Sequence, residues 1–108
     1  MKDDEAYLGH IRDAIAKVEA FVAGMDATRF SADSKTQSAV ILQLMLIGEM
    51  AKRVSIETKT SINLPWKEIA GFRDRAIHNY FDVDLDIVWQ AVTSDIPAFK
   101  KILASNEN

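Results

Sequence analysis

The sequence predicts an all-α protein, an up-and-down bundle of helices in one domain that spans residues 1–108. Apolar residues recur at helical spacing in three long stretches, and no stretch of useful length alternates apolar and polar residues as a strand would. A chain of 108 residues can bury one modest hydrophobic core but not two. A hydrophobic content of 48% with 27% charged residues is typical of a folded domain.

The first helix is predicted over residues 3–24. Its apolar positions recur at steps of four, four, three and four, so they share one helical face: Tyr7, Ile11, Ile15, Val18 and Val22. Gly24 lies near the end of this helix, and we expect residues 25–33 to form a polar loop. His10 lies beside Gly9 on the polar side, where we expect an exposed surface histidine.

The second helix is expected to begin at Ser34, because Ser34-Lys35-Thr36-Gln37 matches a capping box. This helix is apolar on nearly every side. One stripe contains Val40, Leu44, Ile47, Ala51 and Val54, and other stripes contain Ile41, Leu42, Met45, Leu46 and Met50. Such a helix must be covered on several faces, which three or four helices can hardly do. We therefore place it at the centre of the bundle and expect a second copy of the chain alongside, giving a homodimer.

Shorter segments are expected after a loop at residues 60–63. Pro65 suits the first position of a short helix ending near Ala70, because its missing N–H costs nothing there. Gly71 then separates this helix from a segment that we expect to be helical over about residues 72–78.

The last helix carries apolar residues at helical spacing over residues 85–103. Asp82 and Asp84 are its two candidate N-caps. A proline inside a helix removes a hydrogen bond and clashes one turn back, so Pro97 predicts a kink near Ile96, or a restart with Asp95 as the cap.

Composition excludes several kinds of site. The chain has no cysteine and only two, widely separated histidines, so we expect no disulfide, no metal ion and no cofactor. The longest apolar run, residues 39–50, is too short to span a membrane, and no apolar stretch follows the acidic amino terminus. We therefore expect no membrane contact and a cytoplasmic location. A net charge of −3 restricts any contact with RNA to a local site.

The polar cluster at residues 71–80, Gly-Phe-Arg-Asp-Arg-Ala-Ile-His-Asn-Tyr, is the best candidate for chemistry. His78 can act as a general acid or base, because the ordinary imidazole pKa is about 6.5. On a continuous helix Asp74 would share its face and could orient it. Arg73 or Arg75 could hold a phosphate group through the planar guanidinium. Arg73 lies about 140° around a helix from His78, so the two converge only at a helix end or across a partner chain.

These residues also have structural interpretations. An Arg-Asp-Arg segment near a histidine is equally consistent with a solvated helix face that carries weak surface pairs. Glu49 lies in an apolar run, so we expect a buried carboxylate with a partner, serving either a catalytic role or a structural one as a cap or as the partner of an arginine. Trp66 and Trp89 are expected to anchor the core or an interface rather than stack on bases. Tyr80 lies either near His78, if the segment is extended, or against the bundle together with Phe81.

The order and spacing of these features over nearly the whole chain resemble the HepT-like toxins of the HEPN superfamily. The matching residues are Ile47-Gly48-Glu49, Leu64-Pro65-Trp66 with Ile69, the cluster at residues 71–80, Val83-Asp84 and Val88-Trp89. That family is all-α, homodimeric and prokaryotic, with an Arg-x-x-x-x-His-x-Tyr motif that corresponds here to Arg73, His78 and Tyr80. The family commonly has asparagine after the motif arginine, whereas Asp74 adds a negative charge beside the phosphate site.

The resemblance implies a metal-independent endoribonuclease toxin that cleaves RNA, such as tRNA or mRNA, in a composite cleft of the dimer. Arg73 and His78 of both chains would line this cleft, with Asp74, Arg75 and Glu49 as auxiliary residues. The usual partner in such a type VII toxin–antitoxin pair is an MntA-like nucleotidyltransferase, which transfers AMP onto the motif tyrosine, here Tyr80. The superfamily also contains inactive modules. The competing hypothesis is therefore a non-catalytic helical dimer that binds nucleotides or presents them to a partner nucleotidyltransferase.

Overall fold

A computed structural model describes residues 2–79 and 81–106 of the chain and shows an all-α fold, as predicted. Its helices are α1 (Lys2–Val22), α2 (Ala27–Ser31), α3 (Ser34–Arg53), α4 (Ile56–Ser61), α5 (Trp66–Ala70), α6 (Phe72–Ala76), α7 (Leu85–Gln90) and α8 (Ile96–Ser105). A π-helical turn, Ala91–Asp95, joins α7 to α8, and a two-stranded hairpin follows α6, with strands β1 (Ile77–Asn79) and β2 (Asp82–Val83). No helix within the described ranges is long and apolar enough to cross a membrane.

The core forms where α1 and α3 pack along each other, with α5 and α6 against α3 and α8 against α1. The stripe predicted on α3 is buried at every position: Val40, Leu44, Ile47, Ala51 and Val54. On α1 the predicted positions Ile11, Ile15 and Val18 are buried, and Tyr7 and Val22 are partly buried. The central place of the second predicted helix is confirmed, because α3 contacts α1, α2, α5 and α6.

The polar loop predicted at residues 25–33 is wrong, because it contains the short helix α2. Asp26 caps this helix by accepting a hydrogen bond from the backbone N–H of Arg29 at 2.8 Å. The helix carries Phe30 into the core, where its ring stacks on Trp89 with the two centroids 4.9 Å apart. A single aromatic residue among polar neighbours has no periodicity, so the sequence pattern did not reveal this turn of helix.

The capping box predicted at Ser34 is shifted by one residue. Asp33 is the N-cap of α3, and its carboxylate accepts from the backbone N–H of Thr36 at 3.0 Å. Gln37 does not reach back to the cap residue but donates to the carbonyl of Phe30 at 2.8 Å. Both Asp33 and Ser34 are good N-cap residues, and the contact of Gln37 with α2 favours the earlier start.

Helix α3 ends at Arg53 and a separate helix, α4, runs to Ser61, so the loop predicted from residue 60 begins later than expected. Ser55 caps α4, and its side chain and backbone both donate to the buried carboxylate of Asp4, at 2.5 and 2.9 Å. Thr58 donates its hydroxyl to the same carboxylate at 2.6 Å. Asp4 therefore ties the start of α1 to the junction of α3 and α4.

Replacement of Asp4 by asparagine should lower the thermal unfolding midpoint at neutral pH by several degrees, because the amide cannot accept all three hydrogen bonds. Those bonds from Ser55 and Thr58 lower the pKa of Asp4 from 3.8 to about 2 in the folded protein. A depressed carboxyl pKa stabilises the fold fully above the unfolded value, and this contribution disappears as the pH falls from about 4 towards 2. The difference between wild type and Asp4→Asn should therefore shrink across that range.

The control for this measurement is Asp3→Asn, which removes an exposed carboxylate from the same first turn of α1. It should leave the midpoint nearly unchanged at every pH. Equal effects of the two substitutions would mean that Asp4 acts only through its charge near the helix N-terminus.

The predicted helix over residues 72–78 ends early, at Ala76. The Ala76 carbonyl accepts from the backbone N–H of Asp84 at 2.7 Å, and the chain between them forms an antiparallel hairpin. Ile77 pairs with Val83, and Asn79 with Asp82. The hydrogen bond that ends α6 joins Ala76 to Asp84, eight positions later in the chain, and helical periodicity does not reveal such a contact.

The start of the last helix agrees with one of its two predicted caps. Asp84 accepts from the backbone N–H groups of Asp86 and Ile87 at 3.1 and 3.2 Å. The predicted restart at Ile96 agrees with the start of α8, and Asp95 holds its N-cap position, although Asp95 has helical backbone angles and its side chain makes no capping bond. The π-helical turn Ala91–Asp95 changes the hydrogen-bond register just before Pro97, a residue without an N–H to donate.

Candidate active site

Two glycines bring the polar cluster against α3. A Cβ atom at Gly48 would lie 3.1 Å from the backbone oxygen of Ile69, so α3 and α5 are in direct backbone contact there. Only Gly71 separates α5 from α6. Because α5 packs closely on α3, α6 also lies next to α3, and its residue Arg73 is near the exposed side of α3.

Arg73 lies in a shallow cleft between α3 and α6. The cleft has a volume of about 40 Å³, and its lining includes Glu49, Lys52 and Arg73. Glu49 and Lys52 form an ion pair at 3.3 Å. The predicted burial of Glu49 is wrong, since its side chain is 53% exposed and its partner is a lysine rather than an arginine. The structure nevertheless places Glu49 and Arg73 in one cleft. The cleft thus holds two cationic side chains, Lys52 and Arg73, and one anionic side chain, Glu49.

Arg75 is held on a different side of α6. Its guanidinium donates from Nη1 to the backbone oxygen of Glu68 at 2.7 Å. A Cβ at Gly71 would be in ordinary contact with that nitrogen at 3.7 Å but tight against the backbone oxygen of Lys67 at 3.3 Å. The sequence left open which arginine could hold a phosphate, and the two now have distinct surroundings.

Arg75 lines a second, larger cavity of about 460 Å³ between α3, α5, α6 and the segment from α7 to α8. Its walls are apolar, and Glu68, Gln90 and Asp95 lie among them. Burial raises the pKa of the Asp95 carboxyl above its ordinary value, while the positive charge of Arg75 opposes the shift. Neither Arg73 nor His78 lines this cavity, so the larger cavity and the polar motif are separate features of the fold.

His78 is exposed on strand β1, after the end of α6. The predicted sharing of one helical face with Asp74 is wrong, because α6 ends two residues before His78. The sequence allowed Arg73 and His78 to converge either at a helix end or across a partner chain, and the structure has a helix end between the two residues. The side chains of Arg73, Asp74 and His78 are all exposed and make no hydrogen bond or ion pair within the described ranges. Their exposure makes these three side chains accessible to a ligand.

Tyr80 lies outside the described residues, so its predicted position beside His78 is not described. The residue after it, Phe81, lies against the bundle in one of the two alternatives that the sequence left open. Phe81 is 99% exposed, and its backbone N–H donates to the side-chain oxygen of Asn79 at 2.8 Å. The position of Phe81 at the tip of a hairpin depends on the pairing of β1 with β2, which the sequence pattern did not signal.

The structural interpretations of the remaining aromatic and histidine residues are confirmed. Trp66 donates its indole N–H to the backbone oxygens of Lys59 and Ile62, at 3.1 and 3.0 Å. Trp89 stacks on the buried Phe30. His10 is exposed on α1.

Within residues 2–79 and 81–106 no group of three histidine, aspartate or glutamate side chains is arranged to hold a metal ion.

An apolar surface adjoins the cleft of Arg73. Leu42 and Leu46, one helical turn apart on α3, are 54% and 41% exposed, and we call them the α3 apolar stripe. Met45, between them in sequence, is partly buried and lines the cleft itself. The predicted surplus of apolar surface on this helix is therefore present, next to the charged residues Glu49 and Lys52.

Comparison with known proteins identifies the family. The model of the family described as "Ribonuclease HepT-like" matches residues 11–105. A probable ribonuclease HepT of Thermococcus cleftensis is 41% identical over 87% of this chain and 86% of its own length. A Caldanaerobacter subterraneus protein, provisionally named as an RNase, is 35% identical over 94% of this chain and 91% of its own.

A longer relative from Methanocaldococcus jannaschii, whose name combines gamma-glutamylcyclotransferase with RNase, is 38% identical over 93% of this chain, which spans 46% of that protein. No solved structure matches the chain at comparable significance. The family model covers both Arg73 and His78, and it spans α3, the hairpin and the last helices. The chain therefore belongs to the HepT-like ribonuclease family.

Proposed function

We propose that the protein is a metal-independent endoribonuclease toxin whose site combines Arg73 and His78 from two copies of the chain. One observation carries the proposal: Arg73 and His78 are exposed on either side of a helix end, without partners among the described residues, beside a cleft with excess positive charge. Membership of the HepT-like ribonuclease family supports RNA as the substrate.

The chemistry requires no group beyond these side chains. The ribose 2′-oxygen attacks the adjacent phosphorus as a histidine accepts the hydroxyl proton, and the bond from phosphorus to the 5′-oxygen breaks as a proton is delivered to that oxygen. The products are a 2′,3′-cyclic phosphate and a free 5′-hydroxyl. Two copies of His78, one from each chain, supply one acceptor and one donor. Arg73 holds the phosphate oxygens while negative charge builds on them.

The size of the cleft supports a composite site. A volume of about 40 Å³ is far below the roughly 300 Å³ at which pockets begin to enclose a small molecule, so one chain provides only a wall. The α3 apolar stripe lies along the same wall, with Leu42 and Leu46 54% and 41% exposed in the part of the chain that the structure describes. A second copy packed on the stripe would bury it and bring a second Arg73 and His78 towards the first.

Regulation by a partner also belongs to the proposal. We expect an MntA-like nucleotidyltransferase to act as the antitoxin and to transfer AMP to Tyr80, which would place a bulky anion beside His78 and exclude RNA by sterics and charge. The support here is the family resemblance and the position of Tyr80, two residues after His78. Intact mass after co-expression with a cognate partner, compared between wild type and Tyr80→Phe, tests this role.

The alternative function is a non-catalytic dimer that binds or presents nucleotides to a nucleotidyltransferase. Asp74 favours it, because an exposed carboxylate directly after Arg73 repels a phosphate that the arginine attracts. Growth arrest on expression, abolished by His78→Ala, separates the two functions, since a presenting module would not arrest growth through His78.

The direct test is incubation of the purified protein with total tRNA and mRNA, in EDTA and in magnesium. We expect the wild type to cleave RNA in both buffers and to leave 2′,3′-cyclic phosphate ends, whereas His78→Ala should not cleave. The control is His10→Ala, which removes an exposed histidine of α1 far from His78 in sequence and should leave cleavage unchanged. Cleavage that EDTA abolishes and magnesium restores would refute the metal-independent mechanism. Full activity of His78→Ala would exclude His78 as the acid or base.

A further inference from the structure

We propose that Phe81 stacks on a base of the RNA substrate, beside the phosphate on which His78 acts, and positions the strand for cleavage. This inference rests on the proposed ribonuclease function and adds a substrate-positioning residue to it. It also makes unpaired RNA the substrate class, because a base inside a duplex has no free face for the ring.

The first observation is the exposure of the ring. Phe81 is 99% exposed, compared with 38% for Phe21 and 77% for Ile56, two other large apolar residues on the surface. An aromatic ring this open to solvent offers both faces to a ligand. Single-stranded nucleic acids are commonly held by stacking on such rings.

The second observation is the set of hydrogen bonds that hold the backbone on both sides of the turn. The backbone N–H of Phe81 is held by the side chain of Asn79 at 2.8 Å, and Asn79 pairs with Asp82 across the hairpin. The base of the hairpin is closed by the 2.7 Å bond from the Asp84 N–H to the Ala76 oxygen. Because the backbone N–H of Phe81 is already bonded and β1 is already paired with β2, less backbone entropy is lost when a base settles on the ring.

The third observation is the short separation between Phe81 and His78 along the chain. Phe81 follows His78 by three residues, and three residues of fully extended chain span at most about 10 Å. His78 lies on β1 of the same hairpin, so ring and imidazole belong to one structural unit. A base on Phe81 therefore belongs to a nucleotide at or next to the phosphate near His78.

Charge around the hairpin favours stacking over further phosphate contacts. Asp82 and Asp84 lie in or beside β2, and the whole chain has a net charge of −3. Carboxylates repel the RNA backbone, whereas the neutral face of a base can approach an aromatic ring without that cost. In this proposal Arg73, before His78 in the chain, attracts the phosphate, and Phe81, after it, holds a base.

The test uses a short single-stranded RNA with one 2-aminopurine, whose fluorescence falls on stacking, placed at successive positions around the cleavage site. Binding is measured to the inactive His78→Ala protein and to the same protein carrying Phe81→Leu, Phe81→Trp or, as the matched control, Phe21→Leu. We expect quenching at one position, lost with Phe81→Leu together with an affinity lower by at least about 5-fold. Phe81→Trp and Phe21→Leu should keep both signals.

In the active protein, Phe81→Leu should raise KM with a smaller change in kcat, because stacking acts on binding of the strand rather than on the bond that breaks. RNA affinity and quenching in Phe81→Leu equal to those of its parent protein would overturn the stacking role. Cleavage by the wild type would in that case still support the ribonuclease function. Absence of both RNA binding and cleavage in the parent proteins overturns both. If Phe81→Leu instead changes the assembly state and leaves the quenching intact, Phe81 is a protein contact and not a base platform.

Discussion

Replacement of Arg73 by alanine should lower the rate of RNA cleavage by about 10²- to 10³-fold, the usual effect of removing one group that stabilises charge in a transition state. Replacement of Arg75 by alanine should leave the rate within a few-fold of wild type. The physical reason lies in their contacts: Arg73 lines the cleft beside Glu49, whereas Arg75 donates to the backbone of Glu68 and faces another cavity. The two residues lie on one five-residue helix, so each substitution is the other's control.

The measurement is single-turnover cleavage of an oligonucleotide at saturating protein, which separates chemistry from binding. Arg75→Ala loses one exposed hydrogen bond worth about 0.5–1.5 kcal/mol, so its fold should be checked by thermal unfolding. A large rate loss in a folded Arg75→Ala with little loss in Arg73→Ala would reverse the assignment. Equal losses would show that the site of the assembled protein includes both arginines.

Replacement of Leu46 by glutamate should convert a homodimer into monomers and abolish cleavage at the same time. Leu46 is 41% exposed within the chain and belongs to the α3 apolar stripe next to the cleft. In a symmetric dimer every substitution occurs twice, and burial of the exposed two-fifths of each leucine contributes about 0.6–1.2 kcal/mol. Loss of both contributions alone weakens association by about 10-fold or more, before the cost of burying the new carboxylates.

Sedimentation at micromolar concentration, beside the cleavage assay, tests this prediction. Ile56→Glu is the matched control, since Ile56 is 77% exposed on α4 and should tolerate the charge without change in mass or activity. A wild type that sediments as a monomer and still cleaves RNA would remove the composite site. Dimers of Leu46→Glu with full activity would place the interface on another face.

The packing of the long helices could be predicted from sequence alone. The stripe from Val40 to Val54 is buried at every predicted position, because helical spacing decides which side chains share a face and the apolar face goes inward. Boundaries were less certain. Asp33 rather than Ser34 caps α3, since both residues suit the position and only the contact between Gln37 and Phe30 distinguishes them.

Exposure along α3 was predictable only in part. The sequence indicated a surplus of apolar surface, and Leu42 and Leu46 are indeed exposed. It also suggested a buried Glu49, which is wrong because the apolar neighbours of Glu49 point to other sides of the helix while Glu49 faces Lys52 and solvent. Apolar neighbours in sequence say little about burial when a helix turns by 100° at each residue.

The identity of the motif came from sequence, and its geometry came from tertiary contacts. Residue types selected His78 and left Arg73 and Arg75 as alternatives, because a guanidinium and an imidazole suit phosphate chemistry in a chain without cysteine, and the family resemblance then singled out Arg73. The bond between Asp84 and Ala76, which ends α6 and makes β1, decided that His78 leaves the helix. The backbone oxygen of Glu68 decided that Arg75 turns away from the cleft. Such hydrogen bonds join residues seven or eight positions apart, and no local periodicity encodes them.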